Sequence, residues 1–136
     1  MVEIALVLPL HLIELFMVVD FGVGLTRWIA ITNAAREGAR LGAVGADVGE
    51  ICQKAVDTSD GILSGGDVDV GFSDVDGSGG IDPGDSVVVD VHYEYDFISP
   101  LGHFLSGAVD SLSLSASSDM RLEQFTGQSP GSQSCP

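Results

Sequence analysis

The chain has 136 residues, 20 acidic side chains against 5 basic ones, and a formal charge of −15, yet its mean hydropathy is +0.34. The charge excludes nucleic-acid binding through phosphates and attraction to anionic lipid headgroups, both of which need a Lys/Arg surface. The conflict between the two numbers resolves by position: residues 1–46 carry a net −1 and residues 47–136 a net −14, an apolar front end joined to an acidic domain.

Residues 4–24, IALVLPLHLIELFMVVDFGVG, are almost unbroken apolar sequence, roughly 30 Å of helix and so the thickness of a hydrocarbon core. The run is too long for a signal-peptide core and has no small-residue cleavage site behind it, so it reads as a retained transmembrane helix. Its basic flank, Arg27, Arg36 and Arg40, lies on the C-terminal side, which opposes export of the acidic domain under the positive-inside rule. A basic leader already removed from the N-terminus resolves that conflict. Glu3, His11, Glu14 and Asp20 are unusual in an anchor, because an unpaired charge at such depth costs several kcal/mol. Pro9 removes one backbone donor and is expected to bend or locally open the helix. Two readings stand. In one, Pro9 is tolerated, Glu3 sits at the interface, and Glu14 and Asp20 are protonated or snorkel. In the other, these groups find partners on neighbouring copies, with an N-terminal amine the partner of Glu3. Glu3, Glu14, Asp20 and Arg27 are therefore the candidate assembly residues.

Helical periodicity continues beyond the apolar run. Ala30, Ala34, Gly38, Gly42 and Ala46 recur every four residues, with Ala35, Ala39 and Ala43 in a parallel row, a ridge that lets a helix or sheet approach closely. A helix over residues 2–46 is roughly 65–70 Å long, too long to be covered by the remaining ninety residues. The expected division is 1–46 as a long helix (1–25 membrane span or filament core, 26–46 packed on the domain) and 47–136 as the acidic domain.

In that domain, period-two alternation predicts strands over 67–72, 86–97 and 111–122. One polar face on each strand points to an antiparallel sheet covered on one side by a helix, so the predicted fold class is α+β. PLGHFLSGAVD (100–110) is expected to form a short helix or turn, and the Gly/Ser/Gln/Pro-rich tail 126–136 to be disordered unless tied down.

Between the first two strands lies DVDGSGGIDPGD, residues 74–85. Counted from Asp74, oxygen donors fall at positions 1 (Asp74), 3 (Asp76), 5 (Ser78), 9 (Asp82) and 12 (Asp85). Gly79 stands at position 6, the Gly80 carbonyl at 7 and Ile81 at the hydrophobic position 8. This is the ligand spacing of an EF-hand-type Ca2+ loop, with Asp replacing the usual final Glu and strands replacing the flanking helices. The alternative is a merely polar hairpin loop. Against it, nine acids and no Lys or Arg lie between Asp67 and Asp96, a cluster that repels itself unless a cation neutralises it. Hard oxygen donors without a Cys/His cluster disfavour zinc.

Cys52 and Cys135 are the two cysteines. In an exported chain they pair as one disulfide, closing a loop of about eighty residues for roughly 4 kcal/mol; in a reducing compartment they stay as free thiols. Catalytic signals are poor. His92 and His103 are isolated, and no nucleophile elbow, phosphate loop or dinucleotide fingerprint occurs, so an enzyme is not expected.

VEIALVLPL followed by the bulky apolar run and Asp20-Phe21-Gly22, then TNAAREGARLGAVG (32–45), GDSVVVDVHYEYDFISPLGHFL and LSLSASSDMRLE, resembles the TadE-like pilins and minor pilins of the tight-adherence branch of type IV pilus systems. The resemblance implies an inner-membrane protein, N-terminus in and C-terminal domain out, with a leader cut by a prepilin peptidase. It implies extraction of the chain into an extracellular helical homo-oligomeric filament by other pilins and an assembly ATPase complex. Glu3 then looks like the glutamate near the mature N-terminus that registers incoming subunits. The expected function is a structural pilin-like subunit. The alternatives are a minor membrane-anchored component that primes or regulates assembly, and an anchored calcium-dependent adhesin module.

Overall fold

Helix α1 covers Val2–Ala43, ending three residues before the expected boundary at 46. The stop is chemical. Gly45 takes a left-handed φ of +93°, its N–H donates to the Gly42 carbonyl at 3.0 Å, and the Ala46 N–H reaches back to the Leu41 carbonyl at 3.4 Å. This paired arrangement is a Schellman cap, and glycine supplies the left-handed residue it needs. Pro9 lies inside α1 without ending it.

A second helix, α2 (Val48–Thr58), follows at once where only the acidic domain was expected to begin. Asp47 is its N-cap: its Oδ1 accepts the Glu50 N–H at 2.8 Å, while the Asp47 N–H donates to Glu50 Oε2 at 3.4 Å, a reciprocal capping box. Ile51, Cys52 and Ala55 are its buried face.

The computed structural model describes residues 2–98 and 111–136, apart from the side chains of Val2, Glu3, Ala5 and Leu6; the expected turn at 100–110, with His103, lies outside the described residues. The strands are β1 (Val68–Ser73), β2 (Ser86–Asp96), β3 (Ser111–Arg121) and β4 (Gly131–Ser134), in the sheet order β3-β2-β1-β4. The fold is α+β, a long N-terminal helix packed on a small antiparallel sheet. It divides into two compact units: Met1–Arg27 with Glu94–Leu114, and Trp28–Tyr93 with Ser115–Pro136.

In the larger unit, β1 and β2 pair antiparallel with Val68 opposite Val91, Val70 opposite Val89 and Phe72 opposite Val87. All six are buried, so the alternation seen in sequence is one apolar sheet face. The small-residue ridge of α1 meets that face. A Cβ on Gly38 would lie 3.4 Å from Val89 and 3.5 Å from Ala55 and Ile51, and one on Gly42 would lie 2.9 Å from Val87. Ala34, Ala35, Ala39 and Ala43 are buried beside them and Ala46 just beyond, while Ala30 is half-exposed. The ridge thus serves the chain's own sheet and α2.

The tail is ordered, not free. β4 pairs antiparallel with β1, and Cys135, whose N–H donates to the Val68 carbonyl at 3.0 Å, forms a disulfide with Cys52. The expected pairing is present, with a Cα–Cα distance of 5.8 Å across 83 residues of sequence.

In the smaller unit, Tyr95 is buried and makes an edge-to-face contact with Phe97, ring centroids 5.8 Å apart. Gly24 lies beside it, where an added Cβ would make an ordinary contact 3.8 Å from the Tyr95 ring.

Candidate cation loop and assembly helix

The β1–β2 connection, residues 74–85, folds around its own aspartates. Asp74 Oδ1 accepts the N–H groups of Gly77 (2.7 Å) and Ser78 (3.2 Å), and its Oδ2 accepts Gly79 N–H at 2.8 Å. Asp76 Oδ1 accepts Ser78 N–H at 2.9 Å. Gly77 and Gly79 adopt φ of +75° and +88°, conformations that strain any residue with a Cβ. The Gly79 amide, ahead of the Gly77 and Ser78 amides and the Asp76 side chain, holds the Asp74 carboxyl below its ordinary range, with partial desolvation opposing them. Hydrogen bonds to the ionised form have that effect.

Asp85 is the anchor at the other end and is only 2 % exposed. Its Oδ1 accepts Val75 N–H at 2.9 Å and its Oδ2 accepts Asp82 N–H at 2.7 Å. The backbone at this end is tied to the residue after β3: Gly84 N–H donates to the Leu122 carbonyl at 2.9 Å and Leu122 N–H to the Asp85 carbonyl at 2.8 Å. Ile81, the predicted hydrophobic position, is buried. Oxygens of Asp74, Asp76 and Asp85 come within 4.8 Å of one another, so these three of the spacing-derived donors converge. The others are engaged differently. Ser78 Oγ donates to Asp82 Oδ2 at 3.2 Å and lies 3.4 Å from the Gly80 carbonyl oxygen. Asp74 Oδ1 accepts two backbone bonds, whereas Asp74 Oδ2, Asp76 Oδ1 and both Asp85 oxygens accept one each and keep lone-pair capacity beyond it.

On α1 the candidate assembly residues separate. Asp20, 7 % exposed, is engaged within its own chain: its Oδ1 accepts the Ile98 N–H at 3.2 Å, and its carbonyl accepts the Tyr95 hydroxyl at 3.4 Å. A neighbouring copy is not needed to satisfy it. Glu14 is exposed and Arg27 half-buried. Glu3 falls in the first turn, but its side chain lies outside the described residues. Between Ile4 and Phe21, eleven large apolar side chains are 42–73 % exposed, and α1 is long and apolar enough to cross a membrane.

The capping box of α2, the strand in the tail and the Asp20 tether are absent from the sequence reading. The first had a signal, Asp-x-x-Glu two residues after a glycine. The tether had none, because Asp20 and Ile98 are 78 residues apart.

Residues 1–40 match the family described as TadE-like protein, the segment that holds the exposed apolar stretch and most of the small-residue ridge. No similar curated protein and no similar solved structure was found.

Proposed function

We propose that this chain is a structural, pilin-like subunit of a tight-adherence pilus, anchored in the membrane by α1 before assembly and held by α1 in the filament afterwards. The TadE-like match over residues 1–40 supports an association with tight-adherence pilus machinery. The observation that carries the subunit role is the contrast along α1. From Ile31 onward its small and apolar residues are buried against its own domain, whereas from Ile4 to Phe21 they lie uncovered. An apolar surface of that extent marks a membrane or protein contact, and lipid and neighbouring helices fill the two roles in turn. The domain faces outward and the subunits repeat as a homo-oligomer.

Mass spectrometry and electron microscopy of sheared extracellular filaments test this reading. The chain is expected as the bulk component of the filament. Trace amounts there, with most of the chain in the membrane, would favour the minor-component alternative.

The same reading gives loop 74–85 a bound Ca2+, held by the converging Asp74, Asp76 and Asp85, with Ser78, Gly80 and Asp82 as the further donors that the spacing supplies. Carboxylate-rich oxygen sets suit this ion. Calcium at a hundred times its Kd should stabilise the domain by about 2.7 kcal/mol. Thermal melting with calcium and with chelator measures this gain. Identical melting temperatures, unchanged by Asp74→Ala with Asp76→Ala, would sink the site.

A further inference from the structure

We infer that neighbouring copies of this chain pack parallel, staggered by about 13 residues along α1, with Glu14 of one copy paired to Arg27 of the next. This deepens the subunit reading above and rests on it.

Glu14 and Arg27 belong to two different surfaces of the segment before Trp28. Glu14 lies on an exposed stripe with Val7 and Leu10, spaced i, i+3, i+7 on one helix face. Arg27 lines a shallow groove of about 400 Å³ with Val18, Val19, Gly22, Val23 and Thr26. Gly22 opens this groove, since a Cβ there would meet nothing within 4 Å. Neither Glu14 nor Arg27 forms an ion pair among the described residues; the pair seen among them is Arg40 with Glu37 at 3.6 Å.

An ionised carboxylate on an apolar helix needs a cation once protein replaces water around it. The basic side chains of α1 are Arg27, Arg36 and Arg40. Arg40 is already paired. Reaching Arg36 would carry Pro9 to Ile13 of a second copy up to the level of Ile31, Ala34 and Ala35, which are buried, leaving its apolar face nothing to cover. Arg27 is the cation that satisfies both demands. With Glu14 level with Arg27, a second copy's Leu8 and Leu10 come level with Phe21 and Val23, on either side of Gly22, where the missing side chain leaves space.

Copies inserted into one membrane share an orientation, which makes the pairing parallel. Such a stagger corresponds to about 20 Å along the axis and a rotation that leaves the two surfaces about 140° apart. Donor and acceptor surfaces therefore differ, and such a heterologous contact propagates into an open helical array instead of closing as a dimer.

Full-length chain carrying both Leu10→Cys and Val23→Cys, which the register brings level while leaving Glu14 and Arg27 in place, should give a ladder of disulfide-linked multimers when oxidised mildly in intact membranes or filaments. Either cysteine alone, or Leu10→Cys with Val18→Cys, should not. On the Leu10→Cys/Val23→Cys background, Glu14→Arg and Arg27→Glu should each lower the multimer yield by about tenfold or more, as for truncation of a buried charge pair, and the double exchange should restore most of it. That rescue separates a lost contact from misfolding. Multimers that persist undiminished in Arg27→Glu, or a Leu10/Val18 ladder in place of the Leu10/Val23 one, would overturn the register while leaving the subunit reading intact. A wild-type chain that never multimerises in membrane or medium would overturn both.

Discussion

At Gly42 the distance between helix and sheet is set by a single hydrogen atom. A Cβ there would stand 2.9 Å from Val87 and 3.0 Å from Ile51, whereas at Gly38, one turn earlier, the nearest atoms are 3.4 Å away. Gly42→Ala should therefore destabilise by about 1–3 kcal/mol through overpacking. Gly38→Ala should be neutral to stabilising by up to about 1 kcal/mol, because its added Cβ makes ordinary contacts and alanine gains roughly 1 kcal/mol over glycine in a helix. Urea unfolding of the two variants separates them, and Val87→Ala should rescue Gly42→Ala alone; equal effects at both sites would contradict the packing. Asp74 gives a second residue-scale expectation. Its folded carboxyl titrates below the ordinary range because the Gly79, Gly77 and Ser78 amides bind the ionised form. Its contribution to stability is thus complete above the unfolded value of about 3.9 and is lost as pH falls through the lower folded value. Carbon-13 titration of the calcium-free chain should place the Asp74 midpoint below about 3.9, and Asp74→Asn should remove the associated acid sensitivity. A midpoint at or above the ordinary value would show that the loop amides do not hold it.

The strand β4 is a four-residue edge element whose side chains are all exposed, so its pairing with β1 has little apolar burial behind it. The Cys52–Cys135 bond supplies the restraint. Closing 83 residues of chain is worth about 4 kcal/mol by the chain-entropy argument, and replacing both cysteines with serine should cost a comparable amount in denaturant unfolding. Amide exchange should then accelerate first in 131–134 and in the facing positions of β1; unaltered protection in β4 would mean that the backbone ladder alone holds it. Strands β1 to β3 were legible because each carries its own period-two signal, as in Val87, Val89 and Val91. Tail residues Gly131-Ser132-Gln133-Ser134 carry none, and pairing there follows from a covalent bond made far away in sequence. The same distinction runs through the loop. Spacing named Asp74, Asp76 and Asp85, which do converge, but it could not show that Ser78 and Asp82 bond to each other, because that depends on backbone turns at Gly77 and Gly79. For α1, periodicity carried the helix correctly through the ridge and then past its end, since Ala46 keeps the four-residue rhythm while Gly45 breaks the backbone.

For the whole molecule, the positive mean hydropathy and the −15 charge belong to parts that can be separated experimentally. A chain beginning at Val19 loses the exposed apolar side chains from Ile4 to Val18 but only Glu3 and Glu14 of its acids. It keeps Asp20, so the tether to Ile98 can still form, and it keeps every residue of the larger unit, including the ridge, the loop and the disulfide. A domain with this much charge of one sign stays soluble once its apolar extension is gone. The shortened chain should remain in the supernatant of a high-speed spin without detergent and unfold cooperatively, whereas the full chain should partition with membranes and need detergent for release. If the shortened chain still requires detergent, the uncovered surface extends into the domain, and lipid is not the partner of residues 4–18 alone. If the full chain is freely soluble as a monomer, the apolar stretch is not an anchor. The expected partition assigns the membrane-facing and the solvent-facing properties to the sequence before and after Asp20, the acid that the fold itself satisfies.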